Sequence, residues 1–538
     1  MPDPTQSENA NAYPYPSRRT VVYSRHGMVA TSEPHAAAAG LRVMQEGGNA
    51  IDAAIAAAAS LTVVEPTSNG LGGDAFALVW SRGQLFGLNS SGPAPQGLTR
   101  EWVTKQGFDA MPTHGWAPVT VPGVPAAWAT LSERFGRVPL AASVGPAVEL
   151  AREGYPVSPT VSHYWGLAHG RFSELLKGPE YAEWFRVFAP GGRTPAPGEI
   201  WRSADHARTI EEIGRTQAES YYRGALAEKI AGFSRETGGV MTKDDLARYQ
   251  PEWVTPLSVA FQGYDVWELP PNGQGLVALM ALKMLSKLPS QSEEERIHYQ
   301  IEALKLAFAD ASAYLTDPRA MPWSAETFLS ESYMDARRAL IGERAKLRDA
   351  GAPVPGGTVY LATADAEGNM VSYIQSNYAG FGSGLVVPGT GIALQNRGNL
   401  FSLKEGHPNS LEPGKRPFHT IIPGFLTHRG TPVGPFGVMG GFMQPQGHVQ
   451  VMSNVLERGM NPQAALDAPR FYWAEGNRVV VEQFMPEHVV EGLRRRGHEV
   501  EVTQERGMFG RGEIIWRAPN GVLMGGTEPR ADGTVATW

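Results

Sequence analysis

The strongest hydrophobic pattern in the chain is the segment 50–64, in which Asp52 is the only charged residue. The segment is apolar almost all round, and Asn49 directly before it is a favourable helix N-cap. This pattern predicts a helix that is buried on most sides, whose small alanine side chains allow close packing against a sheet. A shorter helix is predicted just upstream, at 36–45.

The pattern changes at Thr358, where two runs of strand-forming residues, 358–365 and 370–376, flank the turn residues Glu367-Gly368-Asn369. Such a pattern predicts a β-hairpin. Further strands are predicted at 75–80, 391–394 and 420–426, and helices at 296–314, 462–467 and 487–496. Because helices precede and follow the strand-rich part instead of alternating with it, we expect a layered α+β domain.

Composition narrows the class of protein. Of the 538 residues, 42% are hydrophobic and 19% charged, a globular balance that fits several domains or one large layered domain. A net charge of −7 argues against a nucleic-acid-binding surface. The chain has no cysteine, which excludes disulfides, thiolate nucleophiles and zinc–thiolate sites.

The sequence gives no sign of a membrane or a secretion signal. Residues 1–19 contain no apolar run, and no stretch of eighteen or more apolar residues occurs. We therefore expect a cytoplasmic, soluble protein, with residues 1–23 forming a tail.

The standard hydrolase motifs are absent: there is no G-x-S-x-G, H-E-x-x-H, P-loop or G-x-G-x-x-G. What remains is Thr358, which opens a predicted strand after a Pro/Gly-rich segment, 344–357, expected to be an exposed linker. Cleavage of the Gly357–Thr358 bond would give Thr358 a free α-amine with a pKa of ~7.7–8.0. That amine is a usable general base beside its own hydroxyl. On these residues alone, an ordinary hairpin is the favoured interpretation.

From about Ser32 to its C-terminus the chain resembles the γ-glutamyltransferase family. The resemblance rests on ordered blocks: Gly47-Gly-Asn-Ala-Ile-Asp-Ala-Ala, Asn69-Gly-Leu-Gly-Gly-Asp74, Gly238-Gly-Val-Met-Thr-Lys-Asp-Asp-Leu, Tyr314-Leu-Thr-Asp-Pro318, Lys415-Arg-Pro417 and Ala468-Pro-Arg-Phe471. It implies a four-layer αββα sandwich, the N-terminal-nucleophile hydrolase fold. It also implies self-cleavage into a large subunit, 24–357, and a small subunit, 358–538, that form one intertwined heterodimeric domain, and it leaves further assembly open.

The resemblance also implies the site. Thr358 would attack first the Gly357 carbonyl and then a substrate amide, and Gly440-Gly441 would supply the oxyanion donors. The residues expected at the substrate are Asn377, Thr420, His419, Arg397, Asn89 and Gln375. No metal or organic cofactor is implied. The expected partners are a small-molecule amide and water or an amine acceptor, with neither nucleic acid nor membrane.

Four positions depart from the family pattern. Asn89 stands where the family has an Arg for the glutamate α-carboxylate, and Leu400 where it has an Asp for the α-amine. Arg397 replaces a neutral amide and His419 a Ser. Two interpretations of Arg397 stay open: it binds the carboxylate of an acyl group without an amine, such as glutaryl, or it is a solvated surface charge.

Three functions therefore follow from the sequence. The first is hydrolysis of γ-glutamyl, glutathione-type amides, favoured over transpeptidation because segment 402–414 is short where relatives carry a lid. The second is an acylase or amidohydrolase for glutaryl, cephalosporin side-chain or small half-amide substrates such as oxamate. The third is an unprocessed, non-catalytic binding protein.

Overall fold

The computed structural model describes residues 19–347 and 357–538. The strands in these ranges are β1 Val22–Ser24, β2 Gly27–Thr31, β3 Asp74–Ser81, β4 Gln84–Ser90, β5 Tyr155–Pro156, β6 Ile200–Trp201, β7 Glu252–Val254, β8 Leu257–Phe261, β9 Tyr264–Glu268, β10 Gly357–Asp365, β11 Met370–Tyr378, β12 Val386–Val387, β13 Ile392–Ala393, β14 Gly424–His428, β15 Thr431–Met439, β16 Phe471–Glu475, β17 Arg478–Glu482, β18 Glu499–Thr503, β19 Arg511–Arg517, β20 Leu523–Gly526 and β21 Thr534–Thr537.

The α-helices in the same ranges are α1 Pro34–Gln45, α2 Ala50–Val64, α3 Arg100–Lys105, α4 Val124–Phe135, α5 Leu140–Ser143, α6 Gly145–Glu153, α7 Pro159–Leu175, α8 Ala182–Phe188, α9 Ala204–Thr216, α10 Glu219–Tyr222, α11 Ala225–Glu236, α12 Lys243–Ala247, α13 Gly275–Leu285, α14 Glu293–Tyr314, α15 Ala325–Phe328, α16 Glu331–Arg338, α17 Met443–Leu456, α18 Pro462–Asp467 and α19 Glu487–Arg495. None of the helices in the described ranges is long and apolar enough to cross a bilayer.

Two seven-stranded antiparallel sheets form the centre. Sheet I has the order β21-β2-β10-β11-β3-β4-β7, and sheet II the order β1-β20-β19-β15-β14-β9-β8. Their inner faces meet in an apolar cluster that includes Phe76, Tyr360, Ile374 and Phe425. Helices α2 and α4 cover the outer face of sheet I, and α13 and α17 cover that of sheet II, with α14 packed against both of these helices. The predicted four-layer αββα sandwich is therefore confirmed.

Helix α2 forms as its sequence predicts. The Asn49 side chain accepts hydrogen bonds from Ile51 N and Asp52 N, while the Asp52 carboxylate accepts one from Asn49 N. This reciprocal capping satisfies N–H groups that a helix start otherwise leaves unpaired. All residues of α2 are buried, so the whole helix lies in the core against sheet I.

Both sheets mix strands from the two sides of the Gly357–Thr358 bond. In sheet I, β10 and β11 lie between β2 and β3. In sheet II, β14, β15, β19 and β20 lie between β1 and β9. The two expected subunits therefore share one core instead of forming separate domains.

Some predicted boundaries need correction. The tail predicted through Tyr23 overlaps β1, because Val22 and Tyr23 pair with β20; residues 1–18 of that tail lie outside the described residues. The strand predicted at 420–426 begins only at Gly424, since the preceding residues form loop contacts at the site. The predicted linker lies largely outside the described residues, and its last residue, Gly357, already belongs to β10.

Candidate functional site

Thr358 is the second residue of β10 and is almost completely buried. Two residues further along β10, the ring of Tyr360 packs between the two sheets. The pairing of β10 with β11 is irregular here, because Gly357 is opposite Tyr378 whereas Val359 is opposite Gln375. A bulge of this kind changes the direction of a side chain at the end of a ladder.

Ser376 connects the hydroxyl of Thr358 to the carbonyl that precedes it. Thr358 Oγ1 donates to Ser376 Oγ at 3.2 Å, and Ser376 Oγ donates to the Gly357 carbonyl oxygen at 2.7 Å. The Tyr378 N–H donates to the same serine oxygen at 2.7 Å and holds it in place. Sequence reasoning missed Ser376; its signal was its position on the same strand face as Ser372 and Ile374.

Asn377 lies next to this pair, fully buried, with neither its Nδ2 nor its Oδ1 hydrogen-bonded to another described residue. Two glycines make room for it. A Cβ at Gly70 would lie 2.9 Å from Asn377 Nδ2, and one at Gly73 would lie 2.6 Å from Oδ1. The glycine-rich block at 69–74 thus leaves room for the Asn377 amide, whose two polar atoms could pair with a ligand.

Arg397 is completely buried, so the interpretation as a solvated surface charge is wrong. Its Nη1 donates to Thr420 Oγ1 at 2.6 Å, and its guanidinium lies 4.6 Å from the centre of the Tyr378 ring. Nε and Nη2 have no partner among the described residues. Burial lowers the pKa of Arg397 to about 10, which leaves it protonated at neutral pH. The site thus contains a charged donor with unused N–H groups.

His419 is held as a neutral ring. Its Nε2 lies 3.1 Å from the Asp74 carboxylate, and its Nδ1 accepts from the Ile421 N–H at 3.3 Å. Burial, together with the charge of Arg397, holds the pKa of His419 well below its usual value. Burial also raises the pKa of Asp74 to about 7. With both ring nitrogens occupied, His419 positions its loop and is not a free general base.

Gly440 and Gly441 follow β15 directly and are separated from α17 by its N-cap residue, Phe442; both have positive φ, 131° and 59°. In the described part of the chain, neither N–H donates a hydrogen bond. Free N–H groups at a helix N-terminus favour a developing negative charge. The pair therefore has the character of an oxyanion hole.

The packing of the sheets directs this glycine pair toward Thr358. A Cβ at Gly437 would lie 2.4 Å from the Tyr360 ring, and Ser372 contacts the Phe436 carbonyl. Ser372 is opposite Ala362 in the ladder, so Ala362 is on the level of Phe436, whereas Tyr360 is on the level of Gly437. The start of β10 therefore lies near the end of β15. The nucleophile and the glycine pair therefore lie toward the same end of the sheet sandwich.

The two other predicted substrate residues are engaged elsewhere. Asn89 donates to Asn272 Oδ1 at 2.9 Å and accepts from the Ser91 hydroxyl at 2.7 Å. Gln375 points to the outer face of sheet I, where its Nε2 donates to the Ala58 carbonyl at 2.8 Å. Although Gln375 is opposite Val359 in the ladder, its side chain makes no hydrogen bond to Thr358, and a substrate contact for Asn89 or Gln375 stays a prediction.

One cluster of potential metal ligands lies far along the chain from the site residues. His298, Glu302 and His498 offer ligand atoms within 4.8 Å of one another. Lys305 Nζ, however, donates to Glu302 Oε1 at 2.7 Å, and His298 Nε2 lies 2.8 Å from the Gly342 carbonyl oxygen. The ammonium already compensates the carboxylate, so the cluster is a paired core network.

Comparisons with known proteins agree with this geometry. The family model described as gamma-glutamyltranspeptidase matches residues 36–538. The chain belongs to the γ-glutamyltranspeptidase family. It is accordingly an enzyme, a hydrolase of the N-terminal-nucleophile type.

Several relatives within the family are similar over nearly their whole length. A glutathione hydrolase-like YwrD proenzyme of Bacillus subtilis is 36% identical, over 93% of this chain and 96% of that protein. An oxamate amidohydrolase proenzyme of Klebsiella pneumoniae is 33% identical, over 95% and 98%. The crystal structure of a cephalosporin acylase from Bacillus halodurans superimposes with a TM-score of 0.96 at 56% identity, over 99% of both chains. Family membership therefore leaves the acyl group open.

Proposed function

We propose that this γ-glutamyltranspeptidase-family chain cuts itself before Thr358 and then hydrolyses γ-glutamyl-type amides through an ester on Thr358. The observation that carries the proposal is the Ser376 bridge between the Thr358 hydroxyl and the Gly357 carbonyl. It places a proton acceptor at the nucleophile and a proton donor at the group to be attacked, which is the arrangement that general acid–base catalysis needs.

Self-cleavage follows from this bridge. Thr358 Oγ1 bonds to the Gly357 carbonyl carbon, its proton passes to Ser376 Oγ, and the serine proton passes to the Gly357 oxygen. The carbon–nitrogen bond then breaks as the Gly357 carbonyl forms again, and the proton on the Gly357 oxygen passes to the nitrogen, which becomes the α-amine of Thr358. Water hydrolyses the remaining ester, which leaves a carboxylate on Gly357 and a free hydroxyl on Thr358.

Substrate turnover uses the same hydroxyl with a new base. The α-amine accepts the Thr358 hydroxyl proton while the oxygen attacks the substrate carbonyl, and the proton then goes to the leaving amine. The free N–H groups of Gly440 and Gly441 stabilise the oxyanion. Water attacks the acyl ester in a second, equivalent step and releases the acid. The two subunits remain one heterodimer because their strands are interleaved.

The γ-glutamyl group fits the unpaired atoms of the site. Its α-carboxylate suits Arg397 Nε and Nη2, since a guanidinium binds a carboxylate through two parallel hydrogen bonds. The free amide of Asn377 can satisfy further polar atoms of the acyl group. Binding would thus pair buried groups that are unpaired in the free protein, and this favours a carboxylate-bearing acyl chain.

A second candidate is an acylase for glutaryl and related half-amides, the des-amino counterparts of γ-glutamyl compounds. It is favoured by the absence of a free carboxylate for the α-amine among the site residues described. Leu400 packs among apolar side chains, and Asp74 already accepts from His419 and from Gln395 Nε2 at 2.9 Å. A glutaryl chain keeps the carboxylate for Arg397 and has no amine to pair.

A panel of p-nitroanilides tests both candidates and the role of Arg397. We expect the enzyme to prefer γ-glutamyl and glutaryl anilides over pentanoyl anilide, which has the same chain length without the carboxylate. Arg397→Leu is expected to lower the glutaryl-to-pentanoyl ratio of kcat/KM by a factor of roughly 30 to several thousand, the cost of removing one partner of a buried charged pair (~2–5 kcal/mol).

This ratio is taken within each variant, so a partial loss of folded protein cancels. An unchanged ratio in Arg397→Leu would show that the carboxylate binds elsewhere. Faster turnover of the γ-glutamyl compound would reject the glutaryl candidate, and faster turnover of the pentanoyl compound would reject both.

Hydrolysis is expected to exceed acyl transfer. Segment 402–414 folds back on itself, with Ser402 N donating to the Asn409 carbonyl and Leu411 N to the Ser402 carbonyl, both at 2.9 Å. We propose that this compact loop does not form a lid that would keep water from the acyl ester. Adding glycylglycine should leave the rate of p-nitroaniline release almost unchanged, whereas a strong acceleration would indicate transpeptidation. A cytoplasmic location stays a prediction, for cell fractionation to test.

A further inference from the structure

Gln274 is a buried residue that no sequence motif singled out. It is the N-cap residue of α13, a helix that is buried along nearly its whole length in the layer outside sheet II. Its side chain is completely inaccessible to solvent. A glutamine in such a position needs partners, because burying an unpaired amide is costly.

Those partners are the two loops that carry the candidate chemistry. Gln274 Nε2 donates to the Thr420 carbonyl oxygen at 2.6 Å and to the Gly441 carbonyl oxygen at 2.8 Å. Since both partners are acceptors only, the amide orientation is fixed: the nitrogen must point to them. One side chain thus connects the loop that holds Arg397 through Thr420 with the glycine pair.

The glycine pair needs such an external contact. Without a Cβ, Gly440 and Gly441 have a wide choice of backbone conformations. Their own turn supplies two hydrogen bonds, from Met443 N to the Gly440 carbonyl at 3.0 Å and from Gln444 N to the Gly441 carbonyl at 3.2 Å. The Gln274 contact is shorter than either, and it ties the glycines to a second element.

The main chain of Gln274 is itself firmly held. Its N–H donates to the His419 carbonyl at 2.9 Å, and the His419 N–H donates to the Asn272 carbonyl at 2.9 Å. The segment before α13 therefore runs beside the His419–Thr420 loop as a short parallel pairing. After cleavage Gln274 would belong to the large subunit and both loops to the small one.

We infer that Gln274 is a positioning residue, which holds the Gly440–Gly441 N–H groups in the orientation that stabilises the substrate oxyanion. The inference rests on the proposed function. Oxyanion donors act because they are preorganised, and a small change in their direction weakens them in the transition state more than in the ground state. Both formation and hydrolysis of the acyl ester pass through an oxyanion, so Gln274 acts on kcat whichever step limits the rate.

Self-cleavage, in contrast, does not depend on Gln274. The carbonyl attacked in that reaction is that of Gly357, whose oxygen already accepts a hydrogen bond from Ser376 Oγ. The two reactions of Thr358 therefore use different donors. This difference separates a positioning role from a general structural one, since loss of structure would slow both reactions.

The test compares Gln274→Met and Gln274→Glu with the wild type and with Gln300→Met. Gln300 is a matched control, because it is equally buried, donates through Nε2 to Ser453 Oγ at 2.8 Å and has an unpartnered Oε1, but lies on α14. Self-cleavage is followed by denaturing gel and intact mass, and turnover by release of p-nitroaniline from the best substrate of the panel.

For Gln274→Met we expect kcat to fall by roughly 10- to 100-fold, less than the 10²–10³-fold typical of deleting an oxyanion donor, because the N–H groups remain but are tilted. KM and the half-time of self-cleavage should stay close to those of the wild type. Gln274→Glu should be slower still, since its carboxylate repels both carbonyl oxygens. Gln300→Met should keep the wild-type kcat.

Unchanged kcat in both Gln274 variants would overturn the inference, and so would a parallel loss of self-cleavage and turnover. A rise in KM at constant kcat would also overturn it, because it would show a role in ground-state binding. If the wild type hydrolyses no amide of the panel while cutting itself, the proposed function fails instead, and the two failures are thus distinguishable.

Discussion

Thr358→Ala should leave the chain in one piece and without amidase activity. The substitution removes the one hydroxyl that both reactions use, so neither the bond before residue 358 nor a substrate amide can be attacked. Loss of a covalent nucleophile lowers kcat by a factor on the order of 10⁶ in comparable hydrolases. Intact mass measurement should give a single species, against two for the wild type, with the cut between Gly357 and Thr358.

Two further variants make this result specific. Thr358→Ser keeps a hydroxyl and should still be cut, more slowly. Thr363→Ala is the matched control, because Thr363 is a buried threonine on the same strand whose Oγ1 donates to the Ala50 carbonyl at 2.7 Å, on the outer face of sheet I. An uncut wild-type chain, or a cut Thr358→Ala chain, would contradict the assignment of the nucleophile and favour a non-catalytic protein.

Ser376→Ala should slow self-cleavage by roughly 10²- to 10⁴-fold, the range of a general acid–base contribution. Without this hydroxyl, the Thr358 proton loses its acceptor and the Gly357 oxygen loses its donor at the same time. The measurement is the time course of the uncut band after purification. The uncut chain should accumulate while its thermal unfolding midpoint changes little, since a single buried hydroxyl contributes only ~1 kcal/mol.

Ser372→Ala is the control for this second prediction. Ser372 lies on the same face of β11, where its Oγ is 2.7 Å from the Tyr360 hydroxyl, and it has no hydrogen bond to Gly357 or Thr358. It should be cut at the wild-type rate. Equal rates for Ser372→Ala and Ser376→Ala would show that the proton takes another route, through water or the backbone.

The sequence was sufficient for the main elements of the fold. Helix α18 has the predicted bounds, and α2 begins after its predicted N-cap, because caps and hydrophobic periodicity are local signals. The hairpin of β10 and β11 was also predicted, because its turn residues are a local signal. The pairing of β10 with β2 could not be predicted in this way, since it joins segments more than three hundred residues apart and no local pattern contains that information.

The same limit applies to the site. Thr358 and the glycine pair could be proposed from motifs, and Arg397 was identified as a departure from the family pattern. Its burial excluded the interpretation as a solvated surface charge, and burial is a property of packing. Ser376 and Gln274 carry no motif. Their roles depend on a strand bulge and on a loop crossing, so only the three-dimensional structure reveals them.

The pairing of β21 with β2 has a practical consequence. Trp538 N donates to the Gly27 carbonyl at 3.1 Å, so the last residue lies beside the first long strand. A peptide could join Trp538 to a residue just before β1, so that β1 is kept, and the gene could then be opened at Thr358 instead. In such a circular permutant, removal of the initiator methionine would give Thr358 a free α-amine without any self-cleavage. Turnover could then be measured in variants that fail to cut themselves. A lower turnover in such a permutant could be assigned to the reaction with the substrate and not to failed self-cleavage.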